Sequence, residues 1–153
     1  MKVLLVFLAL MMANLTYISY KGDLNQYLQL RTFLKAVAEE SAAGAALYYD
    51  EEAYGNGIMI IKDRDAESFV DSMVDRAEQL LFLESGESLD HEMIILDDRN
   101  GGAARGLSPT VEVTLTLTSR DLFRLPFLTV EQVSRAAKYE LADSNAQCYN
   151  EVQ

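Results

Sequence analysis

Histidine and cysteine occur once each in this chain, tryptophan not at all, and proline at only two positions. The lone Cys148 allows no intrachain disulfide and no cysteine-rich zinc site. It has no basic neighbours and no helix start to acidify its thiol, so nothing marks it as a nucleophile. His91 is the one imidazole that a Ser-His-Asp arrangement would have to use. It opens a strand-like stretch between Asp90 and Glu92 with no nucleophile motif beside it, and reads as an exposed strand-end side chain.

Positive charge is also scarce. Thirteen Lys and Arg face twenty-four Asp and Glu, a net charge of −11. The imbalance is local: residues 1–47 carry four bases and three acids, residues 48–153 nine and twenty-one. A body this acidic repels phosphate backbones, which argues against nucleic acid as a partner and accounts for solubility. The acidic clusters have structural readings too. Asp97-Asp98-x-Asn100 lacks the twelve-residue spacing and closing Glu of a calcium loop and reads as a turn. Asp50-Glu51-Glu52 reads as the solvated end of a helix, and Gly101-Gly102 follows no phosphate-loop pattern. The expectation is a non-enzymatic chain with no catalytic, cofactor-binding or metal-ligating residues, no cofactor and no small-molecule substrate.

What the sequence does contain begins at its N-terminus. Eleven uninterrupted apolar residues run from Val3 to Ala13, and Val3 to Tyr20 spans 18 residues, ~27 Å as a helix. That length just crosses a bilayer core, with Tyr17 and Tyr20 where an aromatic belt belongs. The favoured reading is an uncleaved anchor through Val3, Leu4, Leu5, Val6, Phe7, Leu8, Leu10, Leu15, Tyr17, Ile18 and Tyr20, with Lys2 setting an inside N-terminus. A cleaved signal peptide is an alternative, although a cut after Ala13 would place Met11 at −3. A buried core helix is another, although so long a run leaves no polar face.

After Gly22 the pattern stays helical. Leu24, Tyr27, Leu28, Arg31, Leu34, Ala38, Ala42 and Ala45 follow the spacing of one face, and Lys35 can pair with Glu39 one turn on. One rod from Val3 to Leu47 would be roughly 65–70 Å long. Its upper end narrows to small residues, Ala38, Ala42, Gly44, Ala45 and Ala46, where another backbone or sheet can approach closely. The preferred partner for this patch is the chain's own sheet. The apolar lower rod has no such partner and must meet lipid or other copies. This divides the chain into an anchor half, 1–22, and residues 23–153, the amphipathic helix half with its head.

The rest predicts an α+β body. A buried strand is expected over Ile58 to Ile61, after the Gly55-Asn56-Gly57 turn. A helix follows, capped by Asp65, with Phe69, Met73, Ala77, Leu80 and Leu81 as its apolar face and Ser85-Gly86 as its end. HEMIILDD is expected to supply a second strand, with Met93 to Leu96 apolar. In PTVEVTLTLTSR, Val111, Val113, Leu115 and Leu117 alternate with polar residues, the mark of a strand with one buried face in an antiparallel sheet. Residues 129–140 suit either a helix or a strand with Thr129, Val130 and Val133, and the tail from Ser144 reads as loose.

Two stretches resemble a known family. LKAVAEESAAGAALYY after the apolar segment, and VEVTLTLTSRDLFRLPFLTVEQVSRAAKYEL, are similar to the alanine-rich helix and closing hairpin of pilin-like proteins, closest to the TadE-like pseudopilins of tight-adherence (Tad/Flp) pilus systems. Together they cover roughly half the chain, and neither is a sharp motif. The family's glycine-plus-glutamate processing signature is absent, with Leu5 where pilins often carry Glu, and its cysteine pair is reduced to Cys148. The resemblance implies a strand from Val130 to Tyr139 after a loop around Leu125-Pro126-Phe127-Leu128. It implies a long helix packed on a small antiparallel sheet with one further helix. It also implies a pseudopilin or minor pilin that assembles with itself or other pilin subunits through its N-terminal helix. The expected location is the cell membrane, single-pass with the head outside, or an extracellular filament, with membrane lipid as a partner. The alternative is a secreted or anchored α+β binding domain that does not polymerise.

Overall fold

The computed structural model describes residues 2–83, 85–101, 107–119, 122–123 and 128–141. Cys148, the tail, Leu125-Pro126-Phe127 and part of the 97–109 loop lie outside them. The chain has an α+β fold. Helix α1 (Lys2–Ala46) is followed by short α2 (Glu51–Gly55), α3 (Asp63–Leu81) and strands β1 (Ser88–Leu96), β2 (Thr110–Thr118) and β3 (Gln132–Glu140). The strands form an antiparallel meander in the order β1-β2-β3. Helices α1 and α3 lie on one face of it, α1 over β2 and β3, α3 over β1.

The core follows from alternation on β2. Val111, Val113, Leu115 and Leu117 are buried, and register places Leu89 and Val133 opposite Leu117 and Met93 and Ala137 opposite Val113. From above, α1 supplies Leu34, Val37, Ala38, Ala42, Ala45 and Ala46, and α3 supplies Ala66, Val70, Met73, Val74 and Ala77. At about 25 cal/mol per Å² of apolar area, such side chains dominate the stability of a domain this size.

Helix α1 runs unbroken for 45 residues, about 67 Å. Gly22 does not interrupt it: a Cβ there would meet nothing within 4 Å, so the glycine lies on an open side of the helix. The upper face is rotated from the expected one. Leu28 and Arg31 are exposed, while Asp23, Tyr27, Leu30, Leu34, Val37 and Ser41 turn inward. At about 100° per residue, a seam spaced by both three and four residues drifts around the helix, and the sheet selects one line along it.

Several expectations are corrected. Residues 58–61 are extended but form no ladder strand, only an isolated bridge from Ile61 to Tyr49. Their backbone is satisfied elsewhere. Asp50 N donates to the Ile60 carbonyl at 2.8 Å, Met59 N to Asp98 Oδ2 at 2.7 Å, and Ile61 N to buried Asp97 Oδ2 at 3.3 Å. Asp50-Glu51-Glu52 starts a helix instead of ending one: Asp50 Oδ1 accepts from Glu52 N and Ala53 N, both at 3.0 Å, capping α2. Helix α3 begins at Asp63, two residues before the expected cap, and stops at Phe82 in the left-handed region (φ 49), before Ser85-Gly86. Its buried face uses Val70 and Val74, and Leu80 is 61% exposed. In the ambiguous 129–140 stretch, Gln132–Glu140 forms β3 and 129–131 lead into it.

Candidate membrane and assembly surface

The exposed lower half of α1 is the feature that the rest of the fold does not consume. Val3, Leu4, Leu5, Val6, Phe7, Leu8, Leu10, Leu15, Tyr17, Ile18 and Tyr20 are all exposed, from 38% at Tyr20 to 84% at Val3. This is one helix long and apolar enough to cross a membrane, and none of its most apolar 18-residue window is buried. Two of its polar side chains bond back to their own helix. Asn14 Nδ2 donates to the Leu10 carbonyl at 2.8 Å and Thr16 Oγ1 to the Met12 carbonyl at 3.0 Å. Folding such groups back onto the helix removes most of the penalty they would meet in hydrocarbon. Lys21 lies 5.7 Å over the Tyr17 ring, a cation–π contact at the end of the apolar run.

The head begins at the same level. Phe123, 5% exposed, packs its ring 6.3 Å from Tyr20 and 5.9 Å from Tyr27, and neighbouring Asp23 is buried. Sequence reading missed this clasp because Phe123 falls in a connection with no period. Tyr20 thus ends the exposed apolar run and starts the head.

The small-residue patch is occupied from within. Ala38, Ala42, Ala45 and Ala46 are buried in the core. Gly44 meets α3, where an added Cβ would collide with Cε1 and Cζ of Phe69 and lie 3.1 Å from its Cδ1. Phe69 in turn packs on Tyr48 at 5.7 Å. Ser41 is fully buried amid the patch, and among the described residues its Oγ has no hydrogen-bond partner.

Elsewhere the titratable groups brace the head. His91 is not a strand-end residue: β1 starts at Ser88, and His91 lies on the inner face opposite Leu115, with Nε2 3.3 Å from Asp71 of α3. Arg99 donates to Asp63 Oδ1 at 2.7 Å, to Asp97 Oδ2 at 3.2 Å and to the Ile61 carbonyl at 3.2 Å. The hydrogen bond to Asp63, with the nearby Asp97 charge, raises the Arg99 pKa further above its usual value. The capping bond from Ala53 N, helped by Lys62 and Glu52 N and opposed by partial burial, holds the Asp50 carboxyl below its ordinary value. Asp97, Asp98 and Asn100 therefore form a backbone latch: Asn100 N also donates to Asp97 Oδ1 at 3.0 Å. Among the described residues no three His, Cys, Asp or Glu side chains are grouped to hold a metal ion. Comparison with protein-family models, with characterised proteins and with solved structures returns no match.

Proposed function

We propose that this chain is a membrane-anchored, pilin-like structural protein of the pseudopilin or minor-pilin kind, similar to TadE-like proteins. Its N-terminal helix anchors it in lipid and assembles with other copies, and its acidic head stands outside the cell. The observation that carries the reading is the exposed 18-residue apolar run, which continues without a break into a helix that forms the spine of the head. A soluble protein would leave that much apolar surface in water, well beyond the few hundred Å² common on monomers. Lipid or neighbouring helices remove the cost.

The test is membrane partition of the full chain. Wild type is expected to float with liposomes and to resist alkaline extraction. Leu8→Asp with Leu10→Asp is expected to abolish both, since an acid near the centre of a span costs about 2.5–3.5 kcal/mol. A full-length chain that is a monodisperse monomer without detergent would refute the anchor.

A further inference from the structure

We infer that the head carries complementary charge on its two flanks, and that the basic flank of one copy docks the acidic α3 flank of a second copy in the same membrane. This deepens the membrane-anchored reading and rests on it.

Bases are scarce, yet three converge on one cleft of about 470 Å³, where Arg31 and Lys35 of α1 face Arg135 of β3, with Leu28 and Thr32 beside them. Lys35 reaches Glu39 at 3.5 Å, with both side chains well exposed. Among the described residues no ion pair holds Arg31 or Arg135. Arg135 lies opposite Leu115 in the same row as His91. Across the sheet, that inner row therefore runs from an imidazole braced on α3 to a guanidinium at the other edge.

The opposite flank is acidic. Helix α3 bears Asp63, Asp65, Glu67, Asp71, Asp75 and Glu78 against Arg64 and Arg76. Asp63 is engaged by Arg99 and Asp71 by His91. Glu67 and Asp75, two turns apart and exposed, remain to receive a partner. The two flanks face apart because Val37, Glu40 and Gly44 of α1 turn toward α3, whereas Arg31 and Lys35 lie on the β3 side.

Anchoring selects the pairing. Copies held upright in one membrane can turn only about its normal, so a two-fold pair would set like flanks together. A heterologous contact sets unlike flanks together and propagates as a row or ring. Confinement to the membrane raises the effective concentration, so a modest charge contact suffices. Lipid headgroups fit the cleft less well. Arg31 and Lys35 lie roughly 16–22 Å along the helix beyond Tyr20, further than the ~8 Å screening length at physiological salt.

The experiment measures Förster transfer between donor- and acceptor-labelled full chains in phosphatidylcholine liposomes. Wild type should give transfer above random lateral mixing, and high salt should weaken association at least about fivefold. Arg31→Glu/Arg135→Glu alone, and Glu67→Lys/Asp75→Lys alone, should each lose the salt-sensitive part of that transfer, while a one-to-one mixture of the two regains wild-type transfer. Amide exchange checks the fold of each variant, and where a reversal unfolds the head Arg31→Gln and Glu67→Gln are read singly, each expected to lose transfer, with no mixing step. Transfer unaffected by the reversals, or no recovery on mixing folded variants, overturns the proposal. So does wild type at the random level whose three bases instead govern binding to phosphatidylglycerol vesicles. Flotation is read in the same samples. Chains that do not float overturn the anchor, floating chains with random transfer overturn helix-mediated assembly as well, and above-random transfer that ignores the charge reversals overturns this inference alone.

Discussion

Gly44→Ala tests the close approach of α1 to α3 and separates packing from helix propensity. Propensity alone favours alanine by up to about 1 kcal/mol, and by less this near the last turn. Packing opposes it, because the new methyl would land on the far edge of the Phe69 ring. Forcing that ring aside costs about 1–3 kcal/mol and loosens its contact with Tyr48. The expected balance is a destabilisation of about 1 kcal/mol. In a Phe69→Ala background the obstacle is gone, and Gly44→Ala should turn stabilising by about 0.5–1 kcal/mol. Phe69→Ala itself should cost roughly 2 kcal/mol, since the ring is only half-buried. The coupling between the sites is then about 1–3 kcal/mol. Urea unfolding of the full chain in a mild detergent reads it, with tyrosine fluorescence as the probe because the chain has no tryptophan. Equal stabilisation by Gly44→Ala in both backgrounds would refute the close approach.

Two further outcomes follow from the latch and the cap. Asp97→Ala leaves the Ile61 N–H without its acceptor and should cost about 1–3 kcal/mol; in the same unfolding assay, Asp97→Asn should recover part of the loss, and an unchanged midpoint would remove the latch. Asp50 has a lowered folded pKa, so its cap contributes fully above the ordinary carboxylate value of 3.8 and fades as pH falls through the lower folded value. Amide protection at Ala53 should therefore drop on acidification in wild type and stay level in Asp50→Asn, and equal pH dependence in the two would contradict the cap.

Much of the architecture was legible because it depends on period. The alternation from Val111 to Leu117 named the central strand and its buried face, and the uninterrupted run from Val3 named the exposed rod. What was hidden depends on partners distant in sequence. Ile58 to Ile61 looks like a strand, yet carboxylates 39 and 36 residues away take two of its amide hydrogens. Leu80 fits the apolar seam of α3 but stays exposed, while Val70 and Val74, outside the expected face, are buried. The Asp97-Asp98-x-Asn100 turn was recognised as a turn, while what it holds could not be read from local spacing. The basic cleft escaped notice for the same reason: Arg135 comes beside Arg31 only after β3 pairs with β2.

The clasp of Phe123 on Tyr20 has a consequence for reach. A domain on a flexible leash of n residues explores about 5–6 Å × √n around its attachment point. Here the leash has no length: helical residues lead from the apolar run into the head with no irregular segment between them. With the run in a bilayer, the head stays against the membrane surface at fixed height and orientation, and any tilt of the lower helix is carried whole to the top. Release by proteolysis is equally constrained. A protease needs a locally unfolded stretch to thread through its cleft, and residues 15–30 offer only hydrogen-bonded helix, so shedding this head would first require melting its spine.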